Sequence, residues 1–310
     1  MEVDLVYLWV NGNDPQWLAR RNEFLGIKSF PSEANCKGRY ISNDELKYSL
    51  RAAEKHLPWV RKIFIVTDNQ TPDWLNISHP KIELINQQDI LPPEANPCYN
   101  SVVLEYFLYR IPGLSEHFLY ANDDMFVNAD LSPDFFYAAD GFPYIRMLHE
   151  PYNIWITRLK RRLNMRVNIY RQTIDNASLL IKKRFGKYYL GAPHHNIDAY
   201  RKSVHKAVVE EVFNKEICAV TTSHLRSVSD IQRMIFSYYA LAIGHGHKKY
   251  VGRREACRIR VQKPDFMKYI ERYQPKLFCL NDNQRVTEKD RERIVPFLET
   301  LFPAKSAFEK

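Results

Sequence analysis

An Asn-Asp-Asp run at 122–124 directly follows a short apolar segment, FLYA, at 118–121. Two adjacent carboxylates at the end of a buried strand are costly unless a cation meets them. A divalent metal ion that also holds a diphosphate is a common partner, whereas a capped turn is the structural alternative. Asp123 and Asp124 are therefore candidate metal ligands.

Three further segments carry residues suited to proton or phosphate chemistry. His194 and His195 precede a predicted helix, where an imidazole is more readily neutral, as a general base must be; a pair of surface histidines is the alternative. Arg226 precedes another predicted helix, where a guanidinium and helix amides can clamp a phosphate, unless the side chain is simply exposed. Asp282 and Asn283 follow an apolar run and repeat the pattern of a strand followed by a carboxylate.

The elements that position these residues alternate between strands and helices. Apolar runs of strand length predict buried strands at 5–10, 62–68, 81–86 and 117–120. Helical spacing and capping residues predict helices at 16–25, 43–56, 100–109, 198–213, 229–243 and 288–301. This order indicates a mostly parallel, Rossmann-like (GT-A-like) α/β sheet flanked by helices, with a ligand beyond the carboxyl ends of the strands.

Composition is that of a soluble globular protein, with 310 residues, 45% hydrophobic and 26% charged. There is no apolar run long enough to span a membrane, and the start does not read as a signal peptide. The five cysteines are scattered and form no CxxC pair, which favours a reducing compartment, so a cytoplasmic location is expected. No P-loop, GxSxG or HExxH motif is present.

The positive charge is concentrated in one segment. Residues 151–206 contain 13 Lys and Arg against Asp175 and Asp198, within a chain of net charge +9. Such a surface attracts phosphate-rich polyanions or an anionic membrane face, unless it is only a solvated helical face. We expect an α/β core at 1–150, a basic helical insertion or lid at 151–190, and a C-terminal part at 191–310 that completes the site.

The motifs together resemble the Stealth proteins, sugar-1-phosphate transferases of capsule and exopolysaccharide synthesis whose family includes the lysosomal-enzyme GlcNAc-1-phosphotransferase. Four blocks carry the resemblance. They are VDLVYLWVNGNDPQW at 3–17; NDELKYSLRAAEKHLPWVRKIFIVTDNQTPDWLN at 43–76 with RIPGLSEHFLYANDD at 110–124; HHNIDAYRKS with TSHLRSVSDIQRMIFSYYAL; and LFCLNDN with FLETLFPAKSAFEK.

The resemblance implies a role for each matching residue. His195 would take a proton from the acceptor, Arg226 would stabilise charge on the transferred phosphoryl group, and Asp123 and Asp124 would hold Mg²⁺ (or Mn²⁺) or orient the donor diphosphate. His194 is the alternative base; His195 is chosen because it opens HNIDAYRKS. The remaining residues would bind or shape the donor site: Asp4, Asn11, Asp14, Asn43, Arg51, Asn100, Asp282 and Asn283.

The implied reaction is transfer of a sugar-1-phosphate, with GlcNAc-1-phosphate the first candidate, from a UDP-sugar to a hydroxyl of a glycan or phosphoglycan, releasing UMP. One alternative is a metal-dependent glycosyltransferase that uses the same donor and releases UDP. Another is a non-enzymatic polyanion binder. No nucleic-acid partner is expected, peripheral association with the inner membrane face is open, and the oligomeric state is not predicted.

Overall fold

The computed structural model describes residues 1–26, 35–149 and 154–310. Its central sheet contains the five strands β1 (Val3–Leu8), β2 (Ile63–Thr67), β3 (Ile82–Asn86), β4 (His117–Asn122) and β8 (Asp198–Arg201). Their order is β3-β2-β1-β4-β8; the first four strands are parallel, and β8 runs antiparallel along β4. The prediction of a mostly parallel α/β sheet is confirmed.

The sequence of β1 explains why this strand lies at the centre. Val6 and Leu8 point into the hydrophobic core on one face of the sheet, while Leu5 and Tyr7 belong to the core on the other face. Side chains of a strand alternate between faces, so a strand covered on both sides needs a continuous apolar run.

Helices cover both faces of this sheet. The helix from Glu45 places Leu46, Leu50 and Ala53 in one core, whereas Ala177 and Ile181 from a later helix pack into the other. The helices are α1 (Pro15–Leu25), α2 (Glu45–His56), α3 (Gln87–Ile90), α4 (Ser101–Tyr106), α5 (Pro133–Phe136), α6 (Ile154–Arg162), α7 (Ile169–Phe185), α8 (Lys202–Ala207), α9 (Asn214–Thr221), α10 (Met234–Ala242), α11 (Lys268–Tyr273), α12 (Glu288–Arg291) and α13 (Ile294–Leu301).

The range 151–190, expected to be a basic helical insertion, contains the two helices α6 and α7. The boundary expected between residues 150 and 151 falls outside the described residues. Within the described ranges, every helix is either too short or too polar to cross a lipid bilayer.

Two small sheets flank the central one. The strands β5 (Met125–Val127), β10 (Ala256–Arg260) and β11 (Leu277–Asn281) form a sheet of order β10-β11-β5. The other sheet has the order β7-β6-β9 and contains β6 (Tyr144–Leu148), β7 (Ala192–Pro193) and β9 (His247–Val251). The apolar run before Asp282 forms β11. This strand lies outside the central sheet, because it pairs antiparallel with β5.

Three helix predictions need correction at their bounds. Residues 198–201 form β8 because they pair with the free edge of β4, and the helix begins only at Lys202. The helix predicted from residue 229 begins at Met234, since the Asp230 side chain accepts the Ser227 N–H and holds a turn there. The helix predicted at 288–301 is divided into α12 and α13.

Candidate active site

A cleft of about 1030 Å³ opens at the carboxyl ends of β1, β2 and β4. Strand-end residues that line it are Leu8, Thr67 and Asn122. Trp17, Tyr40 and Tyr99 supply an aromatic wall, with the Trp17 ring centroid 5.6 Å from that of Tyr40 and 5.7 Å from that of Tyr99. The cleft therefore lies where parallel α/β sheets bind ligands.

Four carboxylates line this cleft. Glu45 lies at the start of α2, Asp123 and Asp124 lie in the turn between β4 and β5, and Asp282 follows β11. Burial raises the pKa of Glu45 to about 7, and the charge of Asp124 adds to the effect. Burial and the charges of Glu45 and Asp124 raise the pKa of Asp123 well above its ordinary value. Burial also raises the pKa of Asp124 to about 6.

The carboxylates of this cleft are the ligand type that a hard divalent cation prefers. Among the described residues, Oδ1 of Asp124 is buried and has no hydrogen-bond partner. Hard cations bind carboxylate oxygens, and a cation beside these carboxylates would offset the burial and the neighbouring negative charges that raise their pKa values. Asn43 holds the Glu45 carboxylate in place, because its backbone N and Nδ2 donate to the two carboxylate oxygens at 2.6 and 2.7 Å.

Two arginines join the cleft to a second cleft of about 750 Å³. Arg39, from a 3₁₀ turn at Lys37–Arg39, and Arg226, from the segment after α9, line both clefts. Nη2 of Arg226 donates to Ser101 Oγ at 2.5 Å. Burial and the positive charge of Arg226 lower the pKa of Arg39. Two guanidinium groups held together in this way form a site that favours an anion.

His195 lines the second cleft. Burial lowers its pKa well below the ordinary value, and the charges of Arg233, Arg258 and Arg39 add to this shift. The imidazole is therefore neutral near pH 7, and its Nδ1 has no hydrogen-bond partner in the described part of the chain. The residue has a left-handed backbone with φ 55°, which turns the chain between His194 and Asn196.

The neighbouring His194 is committed to an ion-pair network. Its Nε2 lies 2.8 Å from Oδ1 of Asp198, and Oδ2 of Asp198 accepts from Nε and Nη2 of Arg233 at 3.1 and 3.0 Å. Burial alone would raise the pKa of Asp198, but His194 and Arg233 lower it to about 2. Of the two histidines, the structure thus places His195 on the cleft and His194 behind it.

Two predicted residues line the first cleft and hold its arginines. Nδ2 of Asn100 donates to the carbonyl oxygens of Ser223 and Leu225 at 3.1 and 3.2 Å, which fixes the segment that leads to Arg226. Asp282 accepts two bonds from Arg291, at 2.7 and 3.1 Å. It also packs against Gly38, where a Cβ would lie 2.3 Å from Oδ1 of Asp282. The turn that carries Arg39 therefore requires glycine at residue 38.

The structure does not bring Asp4 or Arg51 to the cleft, so their predicted place beside a donor is wrong. Asp4 is fully buried near the opposite end of β1, where Nε and Nη2 of Arg61 donate to it at 2.9 and 2.6 Å. Arg51 binds both carboxylate oxygens of Glu309 and the carbonyl oxygen of Phe302. Both residues stabilise the fold through buried ion pairs.

The remaining predicted residues organise loops. Asp14 caps α1 by accepting the Gln16 N–H at 2.8 Å, and Asn11 accepts the Asn13 N–H at 3.0 Å. Both line a separate depression beside the first cleft. Nδ2 of Asn283 donates to Gln262 at 3.0 Å, which fixes the turn after β11.

Several residues that line the first cleft, and Cys279 behind it, were not predicted from the sequence. Glu45 and Arg39 come from a helix start and a 3₁₀ turn, so neither follows a strand end. Asn122 precedes the aspartate pair, and Cys279 donates its Sγ–H to Oδ2 of Asp124 at 3.2 Å. The NDE sequence at 43–45 was a usable signal for Glu45, because acidic residues collect in the first turn of a helix.

A mostly parallel α/β sheet with carboxylates, guanidinium groups and a neutral imidazole at its strand ends defines a Rossmann-like protein with a site for an anionic ligand. The chain belongs to the Stealth family. Its conserved region 1 matches residues 1–29, conserved region 2 matches residues 39–145, and conserved region 4 matches residues 268–310.

Relatives and solved structures match nearly the whole length of this chain. The chain is 32% identical over 99% of its length to the exopolysaccharide phosphotransferase SCO6023 of Streptomyces coelicolor, and the match covers 52% of that protein. It is 30% identical over 100% of its length to the capsular polysaccharide phosphotransferase SacB of Neisseria meningitidis serogroup A, with 57% of SacB covered. The chain thus spans about half the length of these relatives. The galactosyltransferase LgtC superposes with a TM-score of 0.47 and 12% identity, over 96% of this chain and 95% of LgtC.

Proposed function

We propose that this chain transfers a sugar-1-phosphate from a UDP-sugar to a hydroxyl of a glycan acceptor in capsule or exopolysaccharide synthesis. UDP-GlcNAc is the first candidate donor. Membership of the Stealth family and the phosphotransferase names of the relatives support this reaction class. The single observation that carries the proposal is the convergence of Asp124, Arg226 and His195 on two clefts that share a wall.

The two clefts suggest one place for each substrate. The first has an aromatic wall and carboxylates, which suit a nucleoside and a metal-bound diphosphate. The second contains His195 and adjoins Arg39 and Arg226, so an acceptor hydroxyl there would face the outer phosphate of the donor. The basic helices α6 and α7 supply positive charge for an acceptor that becomes anionic as phosphodiesters accumulate.

In the proposed reaction, neutral His195 accepts the proton of the acceptor hydroxyl. The hydroxyl oxygen forms a bond to the β-phosphorus, and the bond from that phosphorus to the bridging oxygen breaks, so that UMP leaves. Arg39 and Arg226 stabilise the equatorial oxygens, since phosphoryl transfer depends mainly on alignment and charge stabilisation. Mg²⁺ or Mn²⁺, held by Asp123 and Asp124 with Glu45 as a third candidate, would neutralise charge on the diphosphate.

The nucleotide that is released from the UDP-sugar tests this proposal. The protein is incubated with Mg²⁺ and a panel of UDP-sugars, with and without candidate oligosaccharides, and the released nucleotide is identified. We expect acceptor-dependent UMP and a phosphodiester signal in phosphorus NMR. Release of UDP without a diester would instead establish glycosyl transfer, and acceptor binding with no nucleotide release would favour the polyanion binder.

We also propose that α6 places the protein on an anionic membrane surface. Trp155 and Leu159 in α6, and Leu163 directly after it, are 66%, 57% and 59% exposed and recur every four residues. The Leu163 N–H donates to the Leu159 carbonyl oxygen, so the helical spacing continues and the three side chains lie on one side. Lys160 and Arg162 are exposed beside this apolar stripe. Apolar side chains next to basic ones are the signature of a helix that lies in the headgroup region of an anionic bilayer.

Sedimentation with lipid vesicles tests the role of α6. We expect binding to vesicles that contain phosphatidylglycerol, and about tenfold or greater weakening in the Trp155→Ser/Leu159→Ser variant, because each apolar side chain contributes about 1 kcal/mol or more at the interface. Ile77→Ser removes an equally exposed apolar side chain elsewhere and should leave binding unchanged. Unchanged vesicle binding in the double variant would reject the membrane role. If the double variant instead loses self-association or acceptor affinity while vesicle binding stays the same, the apolar stripe serves that other contact.

A further inference from the structure

Three side chains with chemically different donor atoms converge between the two clefts. One carboxylate oxygen of Asp124, one ring nitrogen of His195 and Sγ of Cys279 all lie within 4.8 Å of one another. They come from the turn after β4, the segment before β8, and β11. The pairing of β11 with β5 places Cys279 opposite Met125, the residue next to Asp124.

Two of these side chains have a donor atom available. Oδ1 of Asp124 and Nδ1 of His195 are buried, and no described residue forms a hydrogen bond with either. The Cys279 thiol is fully buried and directs its Sγ–H at Oδ2 of Asp124, at 3.2 Å. Buried polar atoms without partners are rare in native proteins, so two of them beside one thiol point to an additional ligand.

The donor set selects the chemical class of that ligand. Sulfur, imidazole nitrogen and one carboxylate oxygen are ligands that suit zinc, whereas Mg²⁺ prefers oxygen alone. Bonds of about 2.0–2.3 Å in a tetrahedral arrangement place ligand atoms about 3.3–3.8 Å apart, and the three donor atoms here are already within 4.8 Å of one another. The set thus differs from the all-oxygen set of Glu45, Asp123 and Asp124, with which it shares Asp124.

We propose that Asp124, His195 and Cys279 form a binding site for a thiophilic divalent cation of the zinc class, and that this cation blocks the reaction. Binding replaces the Cys279 S–H proton, so one proton is released for each ion bound and a metal–thiolate bond forms. The ion would occupy the lone pair of His195 and the carboxylate of Asp124 at once. The binding part stands independently of the proposed function, and only the block rests on it.

Cobalt(II) is the probe for the binding part, because its thiolate complexes absorb in the near ultraviolet and its tetrahedral complexes absorb in the visible. We expect both bands when the full chain is titrated with Co²⁺, and their loss when Zn²⁺ is added. Cys279→Ser should lose the thiolate band and bind Zn²⁺ at least about 100-fold more weakly. The matched control is Cys218→Ser, which removes an exposed cysteine on α9 and should keep the band.

No thiolate band in the unmodified chain, or the same band in Cys279→Ser, would overturn the site. His195→Asn provides a second variant that keeps the thiol, and it should lose the tetrahedral visible bands. The block is tested by adding Zn²⁺ to Mg²⁺-supported turnover, with each variant compared with its own zinc-free rate. We expect Zn²⁺ to inhibit the unmodified chain but not Cys279→Ser. Equal inhibition of both proteins would overturn the proposed block of the reaction. The cobalt spectra would still decide whether the metal site exists.

Discussion

Replacing His195 by asparagine should lower kcat by about 10²–10⁴-fold, the contribution typical of a general base. Donor affinity should change little, since the imidazole lies in the second cleft, away from the aromatic wall. Asparagine is the chosen replacement because it tolerates the left-handed backbone at this position and cannot take up a proton near neutral pH.

The rate is measured in single-turnover experiments, and donor affinity is measured separately by calorimetry. His247→Asn is the matched control, because His247 is exposed and pairs with Asp140 on the protein surface; its rate should equal that of the unmodified protein. Equal losses of donor affinity and rate in His195→Asn would count against the base role, as would an unchanged rate.

Asp124→Asn should reduce kcat/KM by about 10³-fold or more, because loss of a cation ligand removes several kcal/mol of charge stabilisation. Asp265→Asn, an exposed aspartate before α11, is the neutral control. Mg²⁺ titrations should show weaker binding in Asp124→Asn. Normal Mg²⁺ affinity together with normal turnover in that variant would remove Asp124 from the cation site.

The same cation site should respond to pH in a defined direction. Without a cation, the pKa values of Asp124 and Glu45 are about 6 and about 7, above those of the free carboxyls. Protons then compete with Mg²⁺, so apparent Mg²⁺ affinity should rise from about pH 5 through the pKa values of both carboxyls and level off above about pH 8. The rise should be shallower in Asp124→Asn, which has one titrating carboxyl fewer.

Periodicity predicted the central sheet because a strand covered on both faces has to be apolar along its length. That rule identified β1 and β2, whose residues are almost all buried. The rule does not cover β8, where Asp198 and Arg201 flank two buried residues, and these four positions resemble the start of a helix. Only the free edge of β4, which is more than 70 residues earlier in the chain, makes this segment a strand.

The position of strand ends likewise predicted Asp123 and Asp124 at the cleft. It could not predict Glu45, whose carboxylate is directed into the cleft by the first turn of α2 and two bonds from Asn43. Asp4 was expected at the donor site on family resemblance alone. The structure assigns it to Arg61, a pairing that depends on the neighbouring strands β1 and β2 and has no local signal.

The backbone oxygen of Asp124 accepts the Leu280 N–H at 2.9 Å, and Cys279 binds its side chain. The division at 1–150, 151–190 and 191–310 remains a proposal. Cutting the chain at these boundaries would separate residues that contact each other. A fragment that stops near residue 150 would retain both aspartates of the turn yet lack the strand that clamps them, 155 residues further along. Minimal or chimeric versions of this protein should therefore keep β11 together with β4 and β5.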